Sequence, residues 1–289
     1  MKKCALCGEE NEIKLSHIVP AFVGRHLKKT SVGNIRNMED PNKTVQDLEK
    51  HYLLCHDCEE RFSASERWFA REVFYPWKKN EKTEFDYNFH MHYFITSLSW
   101  RSLYLDILNY VQEGTVDVSR LNVMIQSEQI MKEYLWGKRN DIGNIENHIF
   151  FFERIREVHS SKDNAFYSNP HMTIHRSVTS YTHYSNDTIF TVSNMMGIIP
   201  VTLYEKGYRE QWKGTEVICG DGKVLAANQH ITSVVCSEFQ YWIEESTKQR
   251  EKMTETQKQK VIQRMKDIGE DIVNYDIYQD YIDDKAIKY

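Results

Sequence analysis

Two cysteine pairs, Cys4-x2-Cys7 and Cys55-x2-Cys58, carry the clearest chemistry in this 289-residue chain. Two such knuckles supply four soft thiolates, the full tetrahedral donor set of a structural Zn2+ site with no position left open for a substrate. The stretch between them exceeds the spacing of a compact zinc finger, so a folded segment has to lie between the knuckles. Cys219 and Cys236 stand alone, in a strand-like and a helix-like stretch, and read as buried apolar fillers.

A histidine sits inside that segment. "KLSHIVPAF", residues 14–22, places His17 in a short β-type run ended by Pro20, and "EKHYLLCHDCEERFSASERWFAREVF" gives a second run ending at the second knuckle. A helix then starts at about Cys58 with Phe62, Phe69 and Val73 on its inner face. The order is knuckle, strand with histidine, long loop, strand, knuckle, helix: a ββα unit clasped at its base by zinc.

These residues resemble the HNH, or ββα-metal, endonuclease superfamily in its zinc-supported form, and are most similar to bacterial proteins with SHIIP followed by LLCxxCExxFS. The resemblance covers about residues 1–75. It implies that His17 is the general base that takes a proton from the water attacking a phosphodiester. A free imidazole, with a pKa of about 6.5, suits that work at neutral pH. It further implies a single divalent cation, Mg2+ or Mn2+, beside the leaving oxygen. The chain departs from the family pattern at the other positions. Ser16 stands where the family commonly has Asp, and Glu59 where it has His or Asn, a carboxylate being an acceptable ligand for a hard cation. The middle Asn has no counterpart: Lys50 falls at its place, with His51 next to it.

Two readings follow. In one, Glu59 binds the cation with Ser16 and His51 as secondary candidates, and the protein is a metal-dependent HNH-type endonuclease cutting DNA or RNA, with a role in bacterial defence by analogy. In the other, the unit is a non-catalytic zinc module that binds nucleic acid or a protein. Arg25, Lys28 and Lys29 follow the first strand at helical spacing, and with Arg36 they are the candidate phosphate contacts.

The elements that must hold this unit are read from composition and period. Apolar residues make up 40% of the chain, enough to fill a sizeable core. The N-terminus "MKKCALCGEE" lacks the apolar region of a signal peptide, and no run is long and apolar enough for a membrane helix, so a cytoplasmic protein is expected, with reduced thiols. Net charge is −5, but residues 1–80 carry 14 Lys/Arg against 12 Asp/Glu, so the excess of acid lies beyond them and only the first segment favours a polyanion.

The boundary is placed after "FYPWKKNEK", with residues 1–80 as the zinc-binding domain and 81–289 as a regulatory or dimerising region, a homo-oligomer being possible. Buried helices are expected over 85–140, where Phe94, Leu98, Leu105 and Leu108 share one face and Trp100, Leu103, Ile107 and Tyr110 another. Short β-type runs over 146–230 suggest an antiparallel sheet with hairpins. From Val234 to 289 a charged helix leads into an acidic, tyrosine-rich tail whose state is open. The fold class is α+β: a zinc-supported ββα unit, a helical layer, an antiparallel sheet and a C-terminal helix. His90-x-His92 reads as core or interface, and His171, His175 and His183 as ordinary sheet residues. No phosphate loop, G-x-S-x-G elbow or dinucleotide fingerprint is present.

Overall fold

A computed structural model describes residues 2–37, 39–153 and 169–287, and its fold is α+β. Strands β1 (Lys2–Lys3) and β2 (Glu10–Asn11) close the first knuckle, and β3 (Ile13–His17) follows at once. Pro20 ends the extended run, and α1 (Ala21–Thr30) begins behind it, burying Phe22, Val23 and Leu27. Gly24 lets this helix sit close: a Cβ there would lie 2.8 Å from Leu48 Cγ. A small ribbon of β4 (Ile35–Arg36) and β5 (Thr44–Val45) crosses to β6 (Lys50–Cys55), which runs antiparallel to β3.

Helix α2 (His56–Phe69) leaves the second knuckle with Asp57 and Glu59 in its first turn, where carboxylates complement the helix dipole. It continues through one π turn, Ala70–Phe74, into α3 (Tyr75–Lys78). The cause is local. Pro76 has no N–H to offer and its ring crowds the preceding turn, so the helix widens, with the Tyr75 amide reaching back to the Ala70 carbonyl. The widened turn sends Val73 and Phe74 into the core.

The body follows. β7 (Glu84–Tyr87) leads to α4 (Phe89–Glu113), capped by Asn88 and stopped by left-handed Gly114, and to α5 (Val118–Trp136), capped by Asp117 and stopped by Gly137. From Met91 to Leu103 α4 is buried on nearly all sides, while Phe89 in its first turn is exposed. Beyond that the expectation of two buried faces fails: Leu108 is 51% exposed, and Val111 more so.

Four antiparallel strands form the main sheet, ordered β8 (Glu146–Phe151), β11 (Ile198–Glu205), β10 (Thr188–Met195), β9 (Val178–Ser185). The expected β-type region, 146–230, includes residues 154–168, which lie outside the described ones. Two-residue turns with positive φ at Asn186 and at Met196-Gly197 join the hairpins. By strand alternation one sheet face is hydroxyl-rich and meets α4: Ser102 reaches Ser180 at 2.6 Å, Thr182 reaches Thr191 at 2.7 Å, and Thr202 bonds Ser99 and Asn147 at 2.7 Å. Phe190, Val192, Val201 and Leu203 form the opposite, apolar face, covered by Phe239, Trp242 and Ile243 of α7 (Cys236–Glu251).

Two expectations change here. His171 and His175 are not sheet residues: Pro170 starts a short helix, α6 (Pro170–Ile174), that holds His171, with His175 at its C-cap. The tail is folded. Strands β12 (Gln211–Lys213), β13 (Gly222–Leu225) and β14 (His230–Thr232) form small ribbons, β13 pairing with β7, and after α7 come α8 (Glu255–Ile268), a 3-10 turn (Gly269–Asn274) and α9 (Asp276–Lys285). One apolar cluster runs from Val19 through Phe74 to Ile198 and Ala226, so the core crosses residue 80 without a break. No helix among the described residues is long and apolar enough to cross a membrane.

Candidate metal centre and its histidine

The folding of β3 against β6 closes the cysteine loop. Ala5 N–H donates to the Leu53 carbonyl at 3.0 Å, the Cys55 amide points at Cys4 Sγ at 3.3 Å, and Gly8, at φ +79, turns the first knuckle back so that its amide reaches the Cys4 carbonyl at 2.9 Å. Cys4, Cys7, Cys55 and Cys58 end with their sulfurs all within 4.8 Å of one another, Cys7 and Cys55 at 3.9 Å. A tetrahedron with Zn–S bonds of about 2.3 Å has edges of about 3.8 Å, so the donor set can hold a metal ion.

The bond with Cys58 draws the Cys4 thiol down, while that bond and burial push Cys58 up. Thiols this close cannot all ionise unless a cation stands among them. Cys236 lies apart at the start of α7, and Cys219 corrects the expectation of a buried filler: it is exposed, near Tyr134 and the Asn140 carbonyl.

His17 ends β3 opposite Lys50, and Ser16 lies opposite His51. Paired residues share a face, and neighbours on one strand alternate. Ser16 is accordingly buried, with its hydroxyl 3.4 Å from the Lys14 carbonyl, whereas the exposed Leu15 and Tyr52 share the His17 side. His17 Nε2 lies 3.2 Å from Asp47 Oδ1, without the alignment of a hydrogen bond, and Lys50 Nζ lies 2.6 Å from Asp47 Oδ2. The Lys50 amine, and then the contact with His17, hold the Asp47 carboxyl well below the usual carboxylate range.

The other candidates have different neighbours. His51 turns outward to Glu49 at 2.7 Å, and Glu59 Oε1 is buried without a hydrogen-bond partner. Among the described residues the four cysteines are the only set of three or more His, Cys, Asp or Glu side chains with ligand atoms this close. His17, His51 and Glu59 therefore do not make a second one.

Of the basic candidates, Arg25, Lys28 and Lys29 lie exposed on the outer side of α1, the Lys28 amine bonding the Gln46 carbonyl. Arg36 is engaged instead, donating to the Pro41 carbonyl at 2.6 Å and reaching Gln257 of α8 at 3.5 Å. His92 is a core residue, 3.0 Å from the Tyr134 hydroxyl and lowered to about 4 by burial, and His90 bonds Ser65.

Sequence reasoning missed two residues. Asp47 sits beside His17 only because the strand register brings residue 50 opposite residue 17. Arg101, in α4, donates from Nη1 to the His17 carbonyl and from Nη2 to Glu66. No short-range signal marks either. Comparison with known family models, with characterised proteins and with solved structures gives no match.

Proposed function

We propose that the chain is a zinc-supported HNH-type endonuclease that hydrolyses phosphodiester bonds of DNA, with His17 as general base. The observation that carries the reading is the placement of His17: at the end of the first strand of a ββα unit whose base gathers four thiolates, with a carboxylate 3.2 Å from its ring. The zinc is structural, because four sulfurs leave no coordination position for water. Asp47 then has a defined part. It favours the imidazolium that forms once His17 has taken the proton from water. Four thiols kept for a metal suit the reducing cytoplasm.

The divalent cation has less support. Glu59 Oε1, dry and without a partner, is the kind of oxygen a cation would satisfy, but among the described residues it belongs to no set of three close ligand atoms. That same observation favours the second reading, a zinc module that binds nucleic acid or a protein without cutting. The two separate in one assay: purified protein with Mg2+ or Mn2+ against plasmid, single-stranded DNA and RNA. Cutting that His17→Ala abolishes, with zinc content and fold retained, supports the nuclease. Intact strands under every condition leave the binding module.

A further inference from the structure

Helix α9 is docked inside out. Its only buried residues are Asp280 and Asp284, while Tyr281 and Ile282 are exposed at 46% and 41%. A helix held permanently to a protein buries its apolar stripe, and aspartate is almost never buried unless paired. Here the acids are the docking face. From Asp267 to Asp284 the chain carries seven Asp/Glu and no Lys or Arg.

What receives them is basic and comes from several elements. Asp284 takes the His171 ring at 2.7 Å and the amides of His171 and Met172 at 2.9 and 3.0 Å, and Arg250 of α7 lies within its field. Asp280 takes His175 Nδ1 at 2.9 Å, while His175 Nε2 faces the Phe152 carbonyl at 2.8 Å. Both ring nitrogens thus meet oxygen atoms of the fold. Asp276 meets His26 of α1 at 3.6 Å and Arg176 at 3.7 Å, and feels Lys78 of α3.

The Asp276 end is incompletely closed. His26 Nε2, Arg176 Nε and Nη1, and Asp280 Oδ2 are buried there without a hydrogen-bond partner. A half-satisfied polar joint is weaker than a dry apolar one or a complete network. A cavity of about 830 Å3, lined in part by Lys78, Lys82, His175, Asp276 and Asp280, opens beside it. Asp276, Asp280 and Asp284 stand one helical turn apart along one face, rising about 6 Å each. That row of negative charges imitates the phosphates of an extended strand.

We infer that α9 is a displaceable acidic plug, and that the basic surface beneath it, built from α1, α3, α6 and α7, binds single-stranded nucleic acid when the plug is out. The inference rests on the nucleic-acid reading above but not on strand cleavage. Its test therefore uses the full chain in a His17→Ala background with no added divalent ion. The triple variant Asp276→Asn/Asp280→Asn/Asp284→Asn should bind a fluorescent 20-nucleotide single-stranded DNA at least 10-fold more tightly than the parent. Its log affinity should fall more steeply with log salt, by about 2, as three further phosphate contacts at about 0.7 each require.

A control with the same change in charge, Asp267→Asn/Glu270→Gln/Asp271→Asn on exposed positions, should alter affinity less than threefold. If the triple variant fails to fold, Asp276→Asn alone carries the comparison, with a smaller rise in the same direction. Equal affinities of parent and folded variant, or an equal rise in the control, overturn the plug. In the parent, saturating oligonucleotide should speed amide exchange across residues 276–285; unchanged exchange counts against displacement.

Discussion

Arg101 Nη1 donates to the main-chain carbonyl of His17 at 2.8 Å, and Nη2 of the same guanidinium holds Glu66 of α2 at 2.7 Å. One fully buried side chain of α4 therefore fixes both the strand that ends in the candidate base and the helix that follows it. Its flat face also lies over Phe62, with the guanidinium carbon 5.3 Å from the ring centroid. Replacing Arg101 by Met should lower stability by about 3–5 kcal/mol, because Glu66 and a strand carbonyl lose their partner. Arg101→Lys should recover little, since an ammonium cannot span two acceptors in a plane. Urea unfolding of the two variants checks this.

Zinc should be present at one ion per chain by elemental analysis. Cys58→Ser should lose it and melt lower, whereas Cys219→Ser and Cys236→Ser should keep it, being remote from the four-sulfur set. A chelator should destabilise the parent and leave an already zinc-free Cys58→Ser unchanged.

On the nuclease reading proposed above, Asp47→Asn should lower the rate of strand cleavage about 10-fold or more with little change in KM, and Asp47→Glu should restore part of it, as expected for a group that acts on His17 and not on the substrate. Lys50→Met frees one side of Asp47 without removing its charge and should cost less. Single-turnover kinetics on the best substrate separate these outcomes.

Asp106 makes a pH prediction. Burial against the hydroxyl layer raises its carboxyl to about 6 from 3.8, although the Thr182 amide bonds it at 2.6 Å. Between those values the folded chain holds the proton more firmly than the unfolded one, so this group's contribution is full below about pH 3.8 and is lost as pH rises through 6. Asp106→Asn should therefore stabilise the protein by up to about 3 kcal/mol at pH 7 and by almost nothing at pH 3.5. His92 and His148, lowered to about 4 by burial, act oppositely and weaken the fold as pH falls below 6.5. The difference between parent and variant in denaturant series across pH isolates the Asp106 share.

The parts of the structure legible in sequence are those specified over short range. CxxC spacing announces the cysteine cluster, short β-type runs announce the sheet, and Asn88, Asp117, Gly114 and Gly137 are ordinary start and stop signals for α4 and α5. Residues 171–175 misled because HMTIH shares one face at either period, and only Pro170 favours the helix. The acids of α9 were unreadable for a different reason: composition says solvent, and what reverses it is a row of histidine and arginine side chains about a hundred residues earlier. Asp47 and Arg101 escaped likewise, since both depend on where distant backbone ends up.

The widened turn at Ala70–Phe74 has a practical consequence. Because α2 runs through it into α3 as one continuous helix, Val73 and Phe74 of the cysteine-bearing head are anchored among side chains contributed by α4 and the sheet. A fragment cut after Lys79 would bring these greasy surfaces into water and clump, so head and body must be made, handled and inherited together.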